Sequence, residues 1–381
     1  MKHLQNKTIL LISPQSWGRM FVSKHHYAIE LAKLGNTVYF LNPPEQENGE
    51  TTGIKIRPSG AHDNLFLIEH KLNFPYRIKF HWIGLFHLLI KSQVKKILSA
   101  IGRPIDIVWS FDLGYLYPFD FFSDNSYRIF HPVDEPATKE AVRSARGSQI
   151  IFSVTQEILD KYRDFQVPKY MINHGVADYF LEAFKDIGQV GNPLRVGISG
   201  NLLRTDIDRA TLVRIIAENP DIIFECWGAY QYKESNVGGA DDESLEHFIH
   251  ALMNHGNVLL HGPVSPQVLA HEFTRMDAFL ICYDVNKDQS KGTNYHKVME
   301  YLSTGKVIIS NNITTYSTRP DLVRMVSERE NNDKLPMLFK ETMHQLGEFN
   351  SESNQLLRIE FARNNSYAAQ LEKIDKLIAI E

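Results

Sequence analysis

Two charged residues, Lys297 and Glu300, stand three positions apart in the C-terminal half of the chain and could act together on one ligand. Residues at this spacing lie on the same side of a helix, so the ammonium and carboxylate groups can be presented together. A carboxylate can accept hydrogen bonds from both hydroxyls of a ribose, and a lysine beside it can neutralise a phosphate. The alternative is a solvated ion pair, which stabilises a helix by only about 0.3–0.5 kcal/mol. The spacing alone leaves both interpretations open.

The pattern around this pair predicts a strand-loop-helix-strand unit, the building block of a parallel sheet. Residues 278–283 have the length of a buried strand, residues 284–294 are a polar loop, and residues 307–309 are a second apolar run. A helix is predicted from about Tyr295 to Thr304, because apolar residues recur there at helical spacing and Gly305 follows. Its candidate caps are Thr293 and Asn294, and its apolar stripe is Tyr295, Val298, Met299 and Leu302. We therefore expect free amides and a positive dipole end that suit an anion.

Residues 294–308, with the sequence NYHKVMEYLSTGKVI, resemble the donor-site signature of glycosyltransferases of the GT-B fold, close to the large family-4-like group. That signature, K-x-x-E-Y-L-x-x-G-K-P-V-V, follows a strand that ends in a tyrosine, here Tyr283. The resemblance implies that Glu300 holds the ribose of a nucleotide sugar. It also implies that Lys297 and residues 291–293 lie near the diphosphate and the sugar.

Two positions depart from the family pattern. Many relatives carry a glutamate eight residues before the ribose-binding one, where this chain has Gly292, and the family usually has proline in place of Val307. The first departure concerns how the donor sugar is recognised, and the second should change little.

Other stretches of the C-terminal half also resemble this family. Residues 197–208 are similar to its first strand and glycine turn, after which a basic residue commonly meets the diphosphate, here Arg204. The alternative for Arg204 is an ion pair with Asp206 or Asp208. Residues 257–264 resemble an element whose backbone contacts the nucleobase. The resemblance thus implies a donor site that contains Gly200, Asn201, Arg204, Gly262, Val264, Tyr283, Gly292, Thr293, Asn294, Lys297 and Glu300.

The N-terminal half opens with a Rossmann-like strand-helix-strand pattern: a strand over 8–13, a helix from about Ser23 to Leu34 and a strand over 38–41. It lacks the G-x-G-x-x-G sequence, which argues against a dinucleotide-binding site. Polar residues near the first loop are candidates for contact with an acceptor substrate across a cleft, although turn and capping roles are equally compatible with their positions. These candidates are Gly18, Arg19, Lys24 and His25.

A further strand over 127–130 is followed by His131 and Asp134. Polar groups at the carboxyl end of a strand in an open α/β sheet face the ligand crevice. Similar glycosyltransferases place a histidine or aspartate there, near the acceptor hydroxyl, so these two are the candidate catalytic residues, either as a general base or by orienting the acceptor. Loop capping is the alternative.

Residues 71–103 contain seven lysines and arginines and no acidic residue, interleaved with aromatic and aliphatic side chains. A basic, amphipathic segment of this kind predicts contact with an anionic membrane surface. An ordinary helix that packs its apolar face on the sheet is the alternative, and the two can hold together.

Composition sets the remaining bounds. The 381 residues are 43% hydrophobic and 23% charged with a net charge of −4, which fits a globular protein and argues against a general nucleic-acid binder. The two cysteines fall in apolar runs, the N-terminal residues read as a strand rather than a signal peptide, and no apolar run is long enough to span a bilayer. We expect a cytoplasmic protein, with peripheral association on the inner face of the membrane as an option.

These observations and the resemblance predict an α/β protein of two Rossmann-like domains that face each other across a cleft. The expected divisions are an acceptor domain over 1–180, a donor domain over 181–355 and a C-terminal helix over 356–381 that packs back on the first domain. The resemblance implies transfer of a sugar from a nucleotide sugar to a glycan or lipid-linked acceptor hydroxyl in cell-surface polysaccharide or glycolipid synthesis, without a cofactor or a required metal. A nucleotide-sugar epimerase of the same fold and a non-catalytic sugar-nucleotide-binding protein are the alternatives.

Overall fold

A computed structural model describes residues 2–18, 21–45, 53–184, 191–231 and 243–378. The chain forms two compact units, an N-terminal unit of Met1–Asn173 with Tyr367–Glu381 and a C-terminal unit of His174–Ser366. These compact units divide at residues 173/174 and 366/367, whereas the predicted domains begin at residues 181 and 356.

The N-terminal unit is built on an eight-stranded sheet with the order β3-β4-β2-β1-β5-β6-β7-β8. Every neighbouring pair is parallel except β3 and β4. The strands are β1 Thr8–Ile12, β2 Thr37–Leu41, β3 Ile54–Pro58, β4 Leu65–His70, β5 Ile107–Ser110, β6 Tyr127–Phe130, β7 Ile150–Ser153 and β8 Lys169–Met171. The inner strands are apolar along most of their length because both faces of a parallel sheet are covered.

The helices of this unit are α1 Ser23–Lys33, α2 Ile78–His81, α3 Ile83–Ile101, α4 Lys139–Arg143, α5 Gln156–Asp160 and α14 Tyr367–Leu377. In α3, Phe86, Ile90, Val94 and Ile97 recur at helical spacing and are buried in the core. The last helix, α14, packs on α1 at the other face of the sheet. Its Asp375 carboxylate accepts hydrogen bonds of 2.7–2.8 Å from the backbone amides of residues 2–4, which ties that segment to the helix.

The C-terminal unit contains a six-stranded, fully parallel sheet with the order β11-β10-β9-β12-β13-β14. Its strands are β9 Arg195–Ser199, β10 Ile223–Trp227, β11 Val258–Gly262, β12 Ala278–Ile281, β13 Val307–Ser310 and β14 Arg324–Met325. Its helices are α6 Asp178–Ala183, α7 Arg209–Glu218, α8 Glu243–Asn254, α9 Pro266–Phe273, α10 Lys297–Leu302, α11 Leu335–His344, α12 Leu346–Phe349 and α13 Glu352–Arg363.

The predicted α/β class with two mostly parallel sheets is thus confirmed. Because all strands except β3 run parallel within their sheet, their carboxyl ends meet at one edge, and ligands of open α/β sheets bind at that edge. None of the helices in the described ranges is both long and apolar enough to cross a membrane.

Candidate functional site

The helix that carries Lys297 and Glu300, α10, is shorter than its sequence pattern predicts. It spans six residues, Lys297–Leu302, and its N-cap position is held by His296 without a side-chain cap. Neither Thr293 nor Asn294 caps it, so that prediction is wrong, and both residues are instead buried in the preceding loop. A helix this short has only a small dipole. Positive charge at the site therefore depends on side chains rather than on the helix end.

Lys297 is held by partners at the carboxyl end of β9. Its Nζ donates hydrogen bonds to the carbonyl oxygen of Ser199 and, at 2.6 Å, to the hydroxyl of Tyr283, and it lies 4.9 Å from the Tyr283 ring centroid. Burial acts to lower the pKa of Lys297, but the hydroxyl groups of Tyr283 and Tyr301 outweigh burial and leave the pKa above its ordinary value. A lysine ammonium has three donors, so one remains for an anion beside the two used within the described ranges.

Glycine turns bring the backbone close to this ammonium. Gly200 follows β9 with φ +129°, and a Cβ there would lie 2.8 Å from Lys297 Nζ. Gly228 follows β10 with φ +131°, and a Cβ there would overlap the carbonyl group of Gly200. Backbone hydrogen bonds join the turns, from Gly200 N to Trp227 O at 2.8 Å and from Gly228 N to Gly262 O at 2.9 Å. Only glycine fits this stack of strand ends.

A second side chain of α10 fixes the same turn. The Tyr301 hydroxyl accepts a hydrogen bond from the backbone amide of Ser199 at 2.8 Å and lies 2.8 Å from the Ser199 Oγ. The Tyr301 ring stacks on Phe279 of β12 with a centroid distance of 4.1 Å, and burial raises the pKa of its hydroxyl to about 12. Tyr301 and Ser199 were absent from the predicted site, because their contact joins positions about a hundred residues apart in sequence.

Glu300 does not point into bulk water. Its side chain is 16% exposed, and its carboxylate lies 3.1 Å from Nδ1 of His296. Burial and the charge of Glu300 raise the pKa of Tyr179 above its ordinary value, which places that phenol within electrostatic range. The His174 ring lies 5.5 Å from the His296 ring. The partner of Glu300 is therefore His296, one turn before it, and not Lys297.

Arg204 pairs with Asp206. Its Nε lies 2.8 and 3.1 Å from the two carboxylate oxygens, and its terminal nitrogen also contacts that group. This is the alternative that the sequence left open. The guanidinium is still about half exposed and lies 5.9 Å from the Tyr283 ring centroid, so it borders the Lys297 environment. Asn201 accepts a hydrogen bond from the amide of Leu203 and shapes the same turn.

The loop before α10 is organised by Asp288, a residue that the sequence did not single out. Its buried carboxylate accepts hydrogen bonds from the amides of Ser290 and Gly292 at 3.0 Å and from the Tyr295 hydroxyl at 2.8 Å. Gly292 has φ +67°, and a Cβ there would lie 2.8 Å from Asn312 O. The glutamate that the resemblance leads one to expect at this position would therefore not fit this backbone. An aspartate two residues before a serine in a polar loop is the turn signal that could have identified Asp288.

The remaining predicted donor residues, Gly262 and Val264, lie at and just beyond the end of β11. Gly262 is buried with φ +71°, and Val264 is 36% exposed. Both therefore belong to the same edge of the sheet as Gly200 and Gly228.

In the N-terminal unit, Lys24 lies within electrostatic range of both His131 and Asp134. Lys24 lies in the first turn of α1 and is 2% exposed, and burial lowers its pKa to about 8 against an opposing effect of Asp134. His131 follows β6 and is 1% exposed, and burial, aided by the charge of Lys24, lowers its pKa to about 3. A histidine with this pKa is neutral and is a weak proton acceptor, so a hydrogen-bonding role suits it better than that of general base. Asp134 is exposed.

Of the other candidates of this unit, His25 is explained by local structure. His25 is buried, its Nδ1 accepts a hydrogen bond from the Val22 amide at 3.1 Å, and its Nε2 lies 3.1 Å from Ser16 O. His25 thus has the capping role that the sequence left open. Gly18 has no close neighbour that a Cβ would meet, and Arg19 lies outside the described residues.

The basic segment over 71–103 has a part that packs on the sheet and a part that is exposed, and the predicted membrane contact stays a prediction. The later turns of α3 pack on the sheet, whereas α2 and the first turns of α3 expose a group of large apolar side chains that we call the apolar surface. The apolar surface consists of Tyr76, Phe80, Trp82, Ile83, Leu85 and Leu88. Phe80 is 73% exposed and Leu88 67%, and the exposed bases Arg77 and Lys91 flank them.

No family model matches the chain, and no curated protein matches it. Solved structures do. Sucrose-phosphate synthase from Thermosynechococcus elongatus is 12% identical to this chain with a TM-score of 0.69. The alignment covers 97% of this chain and 98% of that chain. An α,α-trehalose-phosphate synthase (UDP-forming) from Burkholderia vietnamiensis is 11% identical with a TM-score of 0.69 and 98% coverage of both chains. Anabaena HepE in complex with UDP-glucose is 12% identical to this chain with a TM-score of 0.65. The alignment covers 97% of this chain and 99% of that chain.

The two mostly parallel sheets and these similarities over nearly the full length define a protein of the GT-B fold. The fold that the resemblance implied is therefore confirmed.

Proposed function

We propose that the protein is a glycosyltransferase that moves a sugar from a nucleotide sugar to an acceptor hydroxyl. The observation that carries the proposal is the arrangement at the end of β9, where Lys297 lies over the Gly200 turn and Glu300 follows one turn later on α10. A backbone without side chains beside a fixed ammonium is suited to a diphosphate. The GT-B fold and the UDP-glucose named for HepE add support.

Each residue of the donor site has a role in this proposal. Glu300 accepts hydrogen bonds from the ribose hydroxyls, while Lys297 and Arg204 neutralise the diphosphate. Charge builds up on the diphosphate as the sugar leaves, and fixed cations stabilise that charge most in the transition state. Two cations on the protein supply this stabilisation, so the proposal requires no metal.

The acceptor is assigned to the N-terminal unit, where His131 and Asp134 follow β6. His131 is neutral and can donate or accept a hydrogen bond, so it orients the acceptor hydroxyl. Asp134, which is exposed, is the better candidate for general base.

The first experiment measures donor binding by calorimetry with UDP-glucose, followed by UDP-, GDP- and dTDP-linked sugars. Glu300→Gln should weaken binding by about 1.5–3 kcal/mol because it removes charge-assisted hydrogen bonds. Glu341→Gln, an exposed glutamate of α11 in the same unit, is the matched control and should bind like the wild type. Equal affinity in all three proteins would remove the proposed role of Glu300.

Turnover separates the alternatives. Slow release of free sugar and UDP, or transfer to an added acceptor, supports the proposal. Isomerised nucleotide sugar without an acceptor would identify an epimerase, and tight binding without any turnover would identify a binding protein.

We further propose that the acceptor is a glycan or lipid-linked glycan of cell-surface polysaccharide synthesis and that the enzyme works in the cytoplasm, on the inner face of the membrane. The apolar surface supports this, since exposed aromatic side chains flanked by bases suit an anionic bilayer. The protein should sediment with phosphatidylglycerol vesicles and not with phosphatidylcholine vesicles, and the double variant Phe80→Ser, Trp82→Ser should lose this binding. Leu356→Ser, which changes an exposed leucine of the C-terminal unit, is the control.

A further inference from the structure

A lysine of α2 joins the apolar surface to the loop that follows β5. The Lys79 ammonium donates hydrogen bonds to the Tyr76 hydroxyl at 3.1 Å and to the carbonyl oxygen of Gly114. It also lies 5.3 Å from the centroid of the Tyr76 ring. Lys79 therefore contacts a member of the apolar surface and the neighbouring loop at the same time.

The loop after β5 is held in an unfavourable backbone conformation. Tyr115 has φ +49°, a region that a bulky L-residue rarely adopts because its Cβ approaches the carbonyl oxygen. On either side of it, the Asp112 carboxylate accepts hydrogen bonds from the amides of Gly114 at 2.7 Å and Leu116 at 2.8 Å. Such a conformation persists only where the surroundings fix it, and the hydrogen bond from Lys79 to the Gly114 carbonyl is one of the contacts that fix it.

The same loop begins beside a residue of the proposed acceptor region. Phe111 is its first residue, is 1% exposed, and places its ring 5.0 Å from that of His131. The two residues follow β5 and β6, which are adjacent and parallel, with Ser110 opposite Phe130. A change of the loop that moves Phe111 therefore also changes the surroundings of His131.

An anionic membrane would compete for the Lys79 ammonium. The segment over 71–103 has no acidic residue, and its exposed aromatic side chains and bases suit an anionic bilayer. Once the apolar surface enters the headgroup region, Lys79 beside Tyr76 comes within reach of lipid phosphates. Because an ammonium is attracted more strongly to an anion than to a neutral carbonyl oxygen, the membrane favours the form in which Lys79 has left the loop. A ligand shifts a conformation only through such a difference in affinity.

We propose that Lys79 is a latch between the membrane and the acceptor region: anionic lipid withdraws its ammonium from Gly114, and the released loop increases the rate of sugar transfer. The carboxyl edge of an open sheet is where ligands enter, so a freed loop at this edge gives the acceptor access. Lys79 acts through the loop and is a positioning residue. Its effect on transfer rests on the proposed transferase, and the release of the loop rests on the proposed membrane contact.

Hydrogen exchange of the full chain tests the latch without any need for activity. The readout is deuterium uptake by the peptide over 111–117, in which the amides of Gly114 and Leu116 bond to Asp112. In the wild type, phosphatidylglycerol vesicles should speed this uptake about three- to tenfold, as expected when a hydrogen bond that fixes the loop is lost. Glycerol phosphate at the same phosphate concentration should have no such effect, because it offers no bilayer to the apolar surface.

Matched variants connect the response to Lys79. Lys79→Met should show the fast uptake already in solution and no further change with vesicles. Lys91→Met removes the same charge from an exposed position of α3 and should respond like the wild type. Both should still sediment with vesicles, whereas the double variant Phe80→Ser, Trp82→Ser should lose sedimentation and response together.

The wild-type response needs no variant and can overturn the latch by itself. A chain that does not sediment with phosphatidylglycerol vesicles, or that sediments with unchanged uptake over 111–117, would reject it. So would a Lys79→Met protein whose uptake in solution equals that of the wild type.

Turnover of UDP-glucose keeps this inference apart from the proposed function. With phosphatidylglycerol vesicles, the wild type should transfer or release glucose about threefold faster or more, and Lys79→Met should be equally fast with and without vesicles. A response of the loop without any turnover would retain the latch and reject the transferase. Turnover that vesicles accelerate equally in both proteins would retain the transferase and reject the latch.

Discussion

Lys297 in the C-terminal unit and Lys24 in the N-terminal unit are both largely removed from water, but their surroundings differ. Lys297 donates to Ser199 and Tyr283 and has a raised pKa. Lys24 has no such partners in the described residues, and its pKa is lowered to about 8. Burial lowers the pKa of both lysines, so the difference comes from the electrostatic effects of Tyr283 and Tyr301 on Lys297, to which the hydrogen bond with Tyr283 adds. The Lys297 ammonium is therefore held in place by hydrogen bonds within the chain, whereas no hydrogen bond to a described residue holds that of Lys24.

Of the variants that would disturb the surroundings of Lys297, Gly228→Ala is expected to have the largest effect on stability. The new Cβ would overlap the carbonyl group of Gly200 and displace the turn that faces Lys297. Backbone overlap and a positive φ together should lower the free energy of unfolding by roughly 3–5 kcal/mol, measured by urea denaturation. Gly256→Ala, where no atom lies within 4 Å of the added Cβ, is the control and should change little. A stable Gly228→Ala protein would show that the turn is not crowded.

The two lysines themselves give the next test. Lys297→Met removes the hydrogen bonds that the Lys297 ammonium donates to Ser199 and Tyr283. It should therefore reduce the free energy of unfolding by about 2 kcal/mol. Lys24→Met removes a buried charge without direct partners and should leave stability within about 1 kcal/mol of the wild type or increase it. Denaturant titrations of both variants, with exposed Lys340→Met as the control, measure the difference. Equal losses in the two variants would contradict the contrast between the sites.

The pH dependence of stability sharpens the comparison further. The pKa of Lys24 is about 8 in the folded protein against an ordinary value of 10.5. Between these two values the unfolded chain binds more protons than the folded one, so this residue makes stability increase with pH, by at most about 1.4 kcal/mol per unit. The difference in unfolding free energy between wild type and Lys24→Met, followed from about pH 7.5 to 9.5, isolates this contribution because shared groups cancel. A flat difference would show that Lys24 titrates normally.

The strand-helix-strand unit around Lys297 could be predicted because its signals are local. The apolar runs of β12 and β13, the helical spacing between them and Gly305 at the helix end all fall within about thirty residues. The helix was nevertheless predicted two residues too long at each end, since Tyr295 is engaged by Asp288 in the loop.

Other features depend on distant contacts or on patterns that were overlooked. The contact of Tyr301 with Ser199 and that of Tyr27 with His131 exist only after the sheets have formed, so no local pattern reports them. In contrast, β3 has the alternation of Ile54, Lys55, Ile56 and Arg57 that typifies a strand with one exposed face, and this strand could have been predicted.

The smallest effect is expected at His296, which tests whether the proposed donor site is held in place at Glu300 as firmly as at Lys297. The His296 ring is 29% exposed and lies 3.1 Å from the Glu300 carboxylate. His296→Ala should weaken UDP-glucose binding only three- to fivefold, because a partly exposed pair contributes about 0.5–1 kcal/mol. His296→Gln can still donate to the carboxylate and should recover most of the affinity in calorimetry. A loss as large as that of Glu300→Gln would mean that the histidine contacts the donor directly, whereas unchanged affinity would mean that Glu300 needs no partner to be positioned.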